Sequence, residues 1–514
     1  MQLLAFFIYF AAMLGIGIFF FLRSKNDGEK EYFLGGRSMG PWVTAMSAQA
    51  SDMSGWLLMG FPGSILALGL GQVWIGIGLA LGTAANWIFV AKRLRRFSKA
   101  AGDSITLPQY LTNRFASQSP VLKIVCAVIF LISFTVYVSS AFVAGKNVMC
   151  AVIPGFEGKE MLAMLIFALI ILVYTFLGGY KAVCWTDFFQ GLLMLVALLA
   201  VPIVMAGGNL DSSFTGAFAE GIKPFGTNPF TATPQEVITG LSWGLGYFGM
   251  PHIIVRFMAI EKPSMIKKSA TVAIVWVVLT LGAAAAMAII GRSYILNDGT
   301  SLAALLLPAG AQQNIFITIV QNLFPGFVAG LLLAAIVAAA MSTADSQLLV
   351  ASSSFTSDIY KPMLRKNKAS DKETLWIGRA VVIVVSIVAF FIAASGLNNP
   401  NSWANSIMSM VENAWGLFGA SFGPVVILSL FWRRFNYAGA VTGIIVGAIV
   451  DIVWLLAFTG TIMEPLVTAT GIYEILPGFV AGLIAAVIAT LVTKAPSDEV
   501  NQIFAKATDK TIDD

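Results

Sequence analysis

Thirteen stretches of this chain read as long and apolar enough to cross a lipid bilayer as helices, and this limits the fold more than any motif does. A hydrocarbon core takes about 20 residues of helix. The stretches cover roughly 2–22, 39–66, 71–93, 121–150, 160–181, 185–207, 235–259, 270–295, 315–352, 374–395, 404–431, 437–459 and 472–493. Composition agrees: 58% of the 514 residues are hydrophobic and 11% charged, against roughly 25% charged in a soluble protein. The chain is therefore read as an all-α integral membrane protein whose main partner is membrane lipid. A cytosolic enzyme, a secreted disulfide scaffold and a nucleic-acid binder are excluded. The net charge of +5 belongs to loops rather than to a nucleic-acid surface. One histidine and three scattered cysteines leave no set for zinc, haem or iron–sulfur chemistry.

The loops give the orientation. Threading the chain through these spans puts 27 of the 31 Lys and Arg on one side, leaving Lys146, Lys159, Lys223 and Arg292 on the other. Positive loops stay in the cytoplasm, so the N-terminus is expected outside the cell membrane and the C-terminus inside. The first stretch lacks a basic leading segment and a small-residue cleavage site, and reads as a retained span. The polar residues 495–514 read as a frayed or amphipathic cytoplasmic tail.

Two spans carry residues that oppose a continuous helix. Residues 43–60 place Ser47, Gln49, Ser51, Asp52, Ser54 and Gly55 at mid-membrane depth. Residues 238–252 contain Gly240, Gly244, Gly246, Gly249 and Pro251; glycine is conformationally loose, and proline lacks an amide donor. Unwound backbone at this depth is tolerated only in buried or cavity-lining positions. Five spans separate one interruption from the other, so the two helices enter from opposite faces. Spans two to six and seven to eleven can then be inverted repeats, each opening with a broken helix, as in carriers with a midplane site. The competing explanation is that the glycines only allow close helix packing.

Unwound carbonyls suit a hard cation such as Na⁺. Ser342 and Thr343 lie about 100° apart on the ninth span, so both hydroxyls can point near one spot. With carbonyls near Ala50 and Met53 they would form an oxygen cage, unless they merely bond back to their own helix. Asp52 is a functional candidate because a carboxylate at this depth is costly; it could face an ion, act through water, or pair with Arg37. Asp187 reads equally as a functional acid or as the cap of a cytoplasmic helix end. Tyr137, Trp243, Tyr247 and Trp56 are candidates for the apolar wall of a small-ligand pocket. Asp451 and Glu412 receive no role.

The segments GGRSMG (35–40), ASDMSGWLLMG (50–60), AVCWTD (182–187), WGLGYFGMPHIIVRFMA (243–259), MSTADSQLLV (341–350) and FGASFGPVV (418–426) resemble the sodium/solute symporter family, and within it the proline-carrying branch. The resemblance runs from the first span to Lys494. It implies a leucine-transporter-like fold: a single transmembrane domain over 1–494, with an extra helix (2–22), two inverted five-helix repeats (39–207 and 235–431) and two further helices (437–493). The implied cargo is L-proline, with Na⁺ as coupling ion, no organic cofactor and no enzymatic step. The implied sodium ligands are the backbone oxygens of Ala50, Met53 and Ala339 and the hydroxyls of Ser342 and Thr343. Asp52 is implied in sodium coupling, and Ser51, Ser54 and Gly55 shape its bend. Proline contacts fall on Tyr137, Trp243, Tyr247 and Pro251, with Trp56 nearby, while Arg37 and Asp187 fall at positions for coupling and gating.

Two residues depart from the family pattern. Met250 stands where glutamine is expected. Asp345 replaces a small or apolar residue; with Ser346 and Asp187 it would supply a second cation cage, or else it pairs with a base near the cytoplasmic side. Another amino acid, pantothenate or a related carboxylate is the alternative cargo. Proton coupling through Asp52 or His252 is the alternative driving force. Nothing resembles a channel's repeated filter or charge ring.

Overall fold

The computed structural model describes residues 1–23, 29–177, 179–207, 232–297, 310–399, 402–456 and 465–509. The chain opens with α1 (Gln2–Arg23). The next span comes in two pieces, α2 (Pro41–Asp52) and α3 (Phe61–Leu68). α4 (Val73–Ala85) continues through a π-wound stretch into the basic α5 (Lys92–Ala100), and the short α6 (Leu107–Arg114) follows. Three long helices come next: α7 (Val121–Val152), α8 (Glu160–Leu177) and α9 (Tyr180–Ala206). A second divided span supplies α10 (Pro234–Ser242) and α11 (Pro251–Ala259). The remainder is α12 (Ile266–Asn297), α13 (Ile315–Leu323), α14 (Gly326–Ser353), α15 (Asp371–Ser395), α16 (Ile407–Phe431), α17 (Tyr437–Leu456), α18 (Ile475–Val492) and α19 (Asp498–Thr508).

Among the described residues, ten helices are long and apolar enough to cross a membrane, and the protein is a multi-pass membrane protein. The thirteen stretches read from sequence exceed that number at three places. Those at 39–66 and 235–259 are broken, and 160–181 yields the shorter apolar helix Glu160–Phe176. Two boundaries also differ from the sequence reading. The span expected at 185–207 already begins at Tyr180, after an extended Gly179. Asp187 therefore sits two turns inside a helix, not at its cap. The single span expected at 315–352 is two helices, because Pro325 holds extended backbone (φ −65°, ψ 149°) between them.

Small side chains set the centre of the bundle. In α14 and α16, 83% of the most apolar window is buried, against 28% in α1. Ala338, Ala339 and Ala340 are completely buried, and α14 touches α1, α2, α7, α9 and α15. An axis this narrow lets its neighbours approach closely, which replaces the hydrophobic drive that lipid cannot supply. The tail is amphipathic rather than frayed over α19: the Ser497 hydroxyl caps its first turn, and Val500 and Ala507 are buried. Residues 510–514 of the expected tail lie outside the described residues.

Candidate functional site

The first break follows from local chemistry. α2 ends at Asp52 because Met53 leaves the helical region (φ −84°, ψ 74°). The Ser54 hydroxyl then accepts from the Trp56 amide at 3.4 Å, giving a freed donor a partner. A Cβ on Gly55 would lie 2.7 Å from that of Ala144, so only glycine fits against α7 here. The chain rewinds through a π turn at Trp56–Gly60. Ser51 bonds back to the Ala48 carbonyl at 3.2 Å.

The second break is longer. α10 passes into a 3₁₀ stretch, Trp243–Phe248, and Met250 is extended (φ −77°, ψ 106°) before Pro251 opens α11. Carbonyls released by this unwinding are met by side chains: the Trp415 indole donates to Trp243 O at 2.8 Å, and Asn86 Nδ2 to Tyr247 O at 2.9 Å. The glycines serve both readings made from sequence. Gly240 and Gly244 face Gly78 and Gly82 of α4 so closely that neither helix could carry a Cβ there. Gly246 lies under the Trp415 indole, and Gly249 under the Phe418 carbonyl.

The two breaks meet at Asp52. The Tyr247 hydroxyl donates to Asp52 Oδ2 at 2.5 Å. The Tyr137 hydroxyl and the Trp56 indole each donate to the Asp52 backbone oxygen at 3.3 Å. Arg37 is not its partner. On the other side of the break, Ser342 Oγ donates to Ala50 O at 2.8 Å and lies 3.2 Å from Ala339 O. The neighbouring Thr343 hydroxyl is buried and has no hydrogen-bond partner among the described residues. Of the five expected sodium oxygens, Ser342 Oγ thus touches two others, Ala50 O and Ala339 O. No contact of the Met53 carbonyl marks it as the fourth.

Aromatic rings close the space beside Asp52. Trp56, Tyr137, Trp243 and Tyr247 are each only 1% exposed. The Trp56 and Trp243 rings lie 6.4 Å apart, and Pro251 and Met250 are buried beside the second break. Two further aromatics escaped the sequence reading. Tyr473 packs on Trp243 at 5.0 Å, and Trp415 meets Tyr247 edge-on at 5.0 Å. They sit in ordinary apolar surroundings, and only the fold brings them to the break. His252 packs edge-on to Phe134 and Tyr137.

Asp187, Asp345 and Ser346 are brought together, but around a residue the sequence reading passed over. Arg256 Nη2 lies 3.1 Å from Asp187 Oδ2 and donates to Ser346 Oγ at 2.5 Å. Its Nε donates to Ser47 Oγ at 3.1 Å, and Ser47 donates to Asp187 Oδ2 at 2.6 Å. Arg256 is 1% exposed and Asp187 is completely buried, so each needs the other to offset desolvation. Asp345 is buried alongside without an ion pair of its own among the described residues. A guanidinium thus bonds two of the three groups expected to form a second cation cage, Asp187 and Ser346.

Arg37, expected at a coupling or gating position, binds at another level of the bundle. It donates to Met258 O at 2.5 Å and Ser104 O at 2.8 Å, and pairs with Asp103 at 2.9 Å. Burial, with Arg95 nearby, lowers its pKa to about 10, so it stays charged at neutral pH and the pair holds. Arg95, which the sequence reading passed over, bonds the carbonyls of Ile260 (2.7 Å) and Glu261 (3.0 Å). Met39 and Ile260 form a backbone bridge, with Glu261 N on Met39 O at 3.1 Å. Segments leading into α2 and out of α11 are therefore fastened together.

Two broken helices joined at a buried carboxylate, beside hydroxyls on a third helix and a ring of aromatics, define a membrane transport protein rather than an enzyme. The sodium:solute symporter family model matches residues 32–447, and the chain belongs to that family. It is 43% identical over 495 residues to the high-affinity proline transporter PutP of Bacillus subtilis, covering 96% of this chain and 98% of the relative. It is 42% identical over 508 residues to the sodium/proline symporter of Staphylococcus aureus, covering 98% and 94%. Among solved structures, a Na⁺-coupled sialic acid symporter in a substrate-bound, outward-open state aligns with TM-score 0.71 at 21% identity, over 96% of this chain and 98% of that one. The nucleobase-cation-symport transporter Mhp1 aligns with TM-score 0.55 at 14% identity, covering 94% and 99%. These two likenesses give the fold: the leucine-transporter-like arrangement expected from the sequence.

Proposed function

We propose that this chain is a secondary active carrier that moves L-proline into the cell together with Na⁺. The observation that carries this is the Tyr247–Asp52 bond at 2.5 Å, which ties one broken helix to the other beside the Ser342–Ala50 contact. Sodium takes the backbone oxygens of Ala50, Met53 and Ala339 and the hydroxyls of Ser342 and Thr343, and Asp52 offsets its charge without leaving Tyr247. Proline sits among Trp56, Tyr137, Trp243, Tyr247 and Pro251, its ring against the aromatics. The names of relatives 42–43% identical over nearly the whole chain support this cargo.

Residues 39–207 and 235–431 act as inverted repeats that rock past each other, flanked by the helix at 2–22 and the pair within 437–493. The N-terminus faces outward, and the tail from 495 faces the cytoplasm. Arg37 and Arg95 hold the inner gate shut, and Asp187 holds Arg256 in register with the sodium helix. The fixed charge of Arg256 stands in for a second cation, so one Na⁺ accompanies each proline. One Na⁺ crossing 100 mV supplies ~2.3 kcal/mol and a tenfold gradient ~1.4 kcal/mol. That is enough for a proline ratio of roughly 500-fold at one-to-one coupling.

The test is uptake of radiolabelled proline into proteoliposomes, with and without an imposed Na⁺ gradient. Uptake should need inward sodium, fall in Asp52→Asn, Thr343→Ala and Trp243→Ala, and keep a coupling ratio of one in Asp345→Asn. Equal uptake without sodium at acid pH would overturn sodium coupling, and no competition by unlabelled proline would overturn the cargo.

A further inference from the structure

Two acids that no step of sodium or proline binding uses lie behind the aromatic cage. Asp451, on α17, and Glu474, just before α18, are each 1% exposed. Asp451 Oδ1 and both oxygens of Glu474 have no hydrogen-bond partner among the described residues. Between them stands Gly416 of α16. A Cβ built there would lie 3.1 Å from Asp451 Oδ1 and 3.3 Å from Glu474 Oε1. Unsatisfied oxygens from α17 and from the residue before α18 thus turn toward one small space, which a side chain at 416 would crowd.

Two buried carboxylates cannot both keep their charge without a cation, because neither is solvated and each repels the other. None of the ion pairs among the described residues involves either acid, and no group of His, Cys, Asp and Glu there has the arrangement to hold a metal ion. The charge is then removed by the smallest ligand that fits between two oxygens. We propose that Asp451 and Glu474 form a carboxyl pair that binds a proton across the space above Gly416, and that losing this proton loosens the outer wall of the aromatic cage.

The connection to the cage is one residue long. Tyr473 precedes Glu474 in the chain and packs on Trp243 at 5.0 Å, and its hydroxyl donates to Glu412 O at 2.7 Å. Of the titratable groups on the elements packed around the pair, Glu412 and Tyr473 face it among the described residues. Glu412 lies one turn before Gly416 on the same face of α16. Tyr247 and Tyr137 are committed to Asp52, and Glu236 to the first turn of α10. With both acids ionised, their repulsion pushes α17 and α18 apart and carries Tyr473 with them.

Infrared difference spectroscopy on the full-length protein in liposomes tests this directly. At neutral pH the carbonyl stretch of a protonated carboxylic acid should be present and should disappear on alkaline titration. Its share from this pair should be lost in the double variant D451N/E474Q. In Glu474→Gln alone Asp451 loses one of its like-charged neighbours and keeps only Glu412 nearby, so its titration should move to lower pH; this keeps the test decisive if the double variant fails to fold. A band unchanged in both variants overturns the proposal. So does a neutral-pH spectrum without the band in which the double variant binds one cation fewer than the unaltered protein. In a parallel assay, the KM for proline should rise on alkaline titration of the unaltered protein and stay flat in the double variant. That assay rests on the proposed cargo and the spectroscopy does not, so failure of one reading is distinguishable from failure of the other.

Discussion

Tyr247 does two jobs with one side chain. Its ring closes the cage, while its hydroxyl holds the Asp52 carboxylate at 2.5 Å. Tyr247→Phe keeps the ring and removes the O–H. A hydrogen bond to a charged group contributes about 1.5–3 kcal/mol. The sodium concentration for half-maximal proline uptake is therefore expected to rise by roughly tenfold or more, with little change in proline affinity at saturating sodium. A sodium activation curve that stays put would show that the hydroxyl does not serve the ion. Asp52 itself was legible from sequence, since a lone carboxylate in an apolar run has no cheap explanation. Arg256 was not. It counts as one more base on the positive side of the charge tally, and its partners Asp187 and Ser346 lie 69 and 90 positions away.

At the level of elements, breaks were easier to read than caps. Glycine, proline and hydroxyl residues within 43–60 and 238–252 oppose helix on their own, and both places are interrupted. The start of α9 at Tyr180 is marked by the glycine pair 178–179, which the sequence reading did not use, and so Asp187 was left between cap and helix interior. Trp415 and Tyr473 were invisible for a related reason: a tryptophan in an apolar span reads as packing until its indole is seen on Trp243 O. The tail shows the same limit. Phe504 stacks edge-on to Phe97 at 5.3 Å, with the Arg114 guanidinium 5.1 Å from its ring. α19 thereby braces α5, which carries Arg95, one of the two residues proposed above to hold the inner gate. Phe504→Ala is expected to release this brace and to speed labelling of a cysteine placed at Ser104 severalfold from the cytoplasmic side. An unchanged labelling rate would separate the tail from the gate.

For the whole molecule, the charge count and the path of the chain make one claim about sidedness. Gly155, between α7 and α8, and Lys368, between α14 and α15, should lie on opposite faces of the membrane. Single cysteines at these positions, tested in intact cells with an impermeant maleimide, should react at 155 and stay protected at 368 until the cells are opened. Equal reaction at both would overturn the orientation. Sequence speaks at this level because bilayer thickness and loop charge act on long segments, where an error of a few residues does not matter; the multi-pass character read that way agrees with the ten long apolar helices among the described residues. It could not supply the closed geometry of the cage, which depends on rings from four separate helical segments meeting at 1% exposure.

The Met39–Ile260 bridge has an evolutionary consequence. A lock made from peptide groups asks almost nothing of the side chains that happen to sit on it. Met39 and Ile260 are buried, so these positions can exchange one apolar side chain for another of like bulk while the peptide groups keep the two segments fastened. A lineage that reshapes its aromatic cage need not rebuild this fastening.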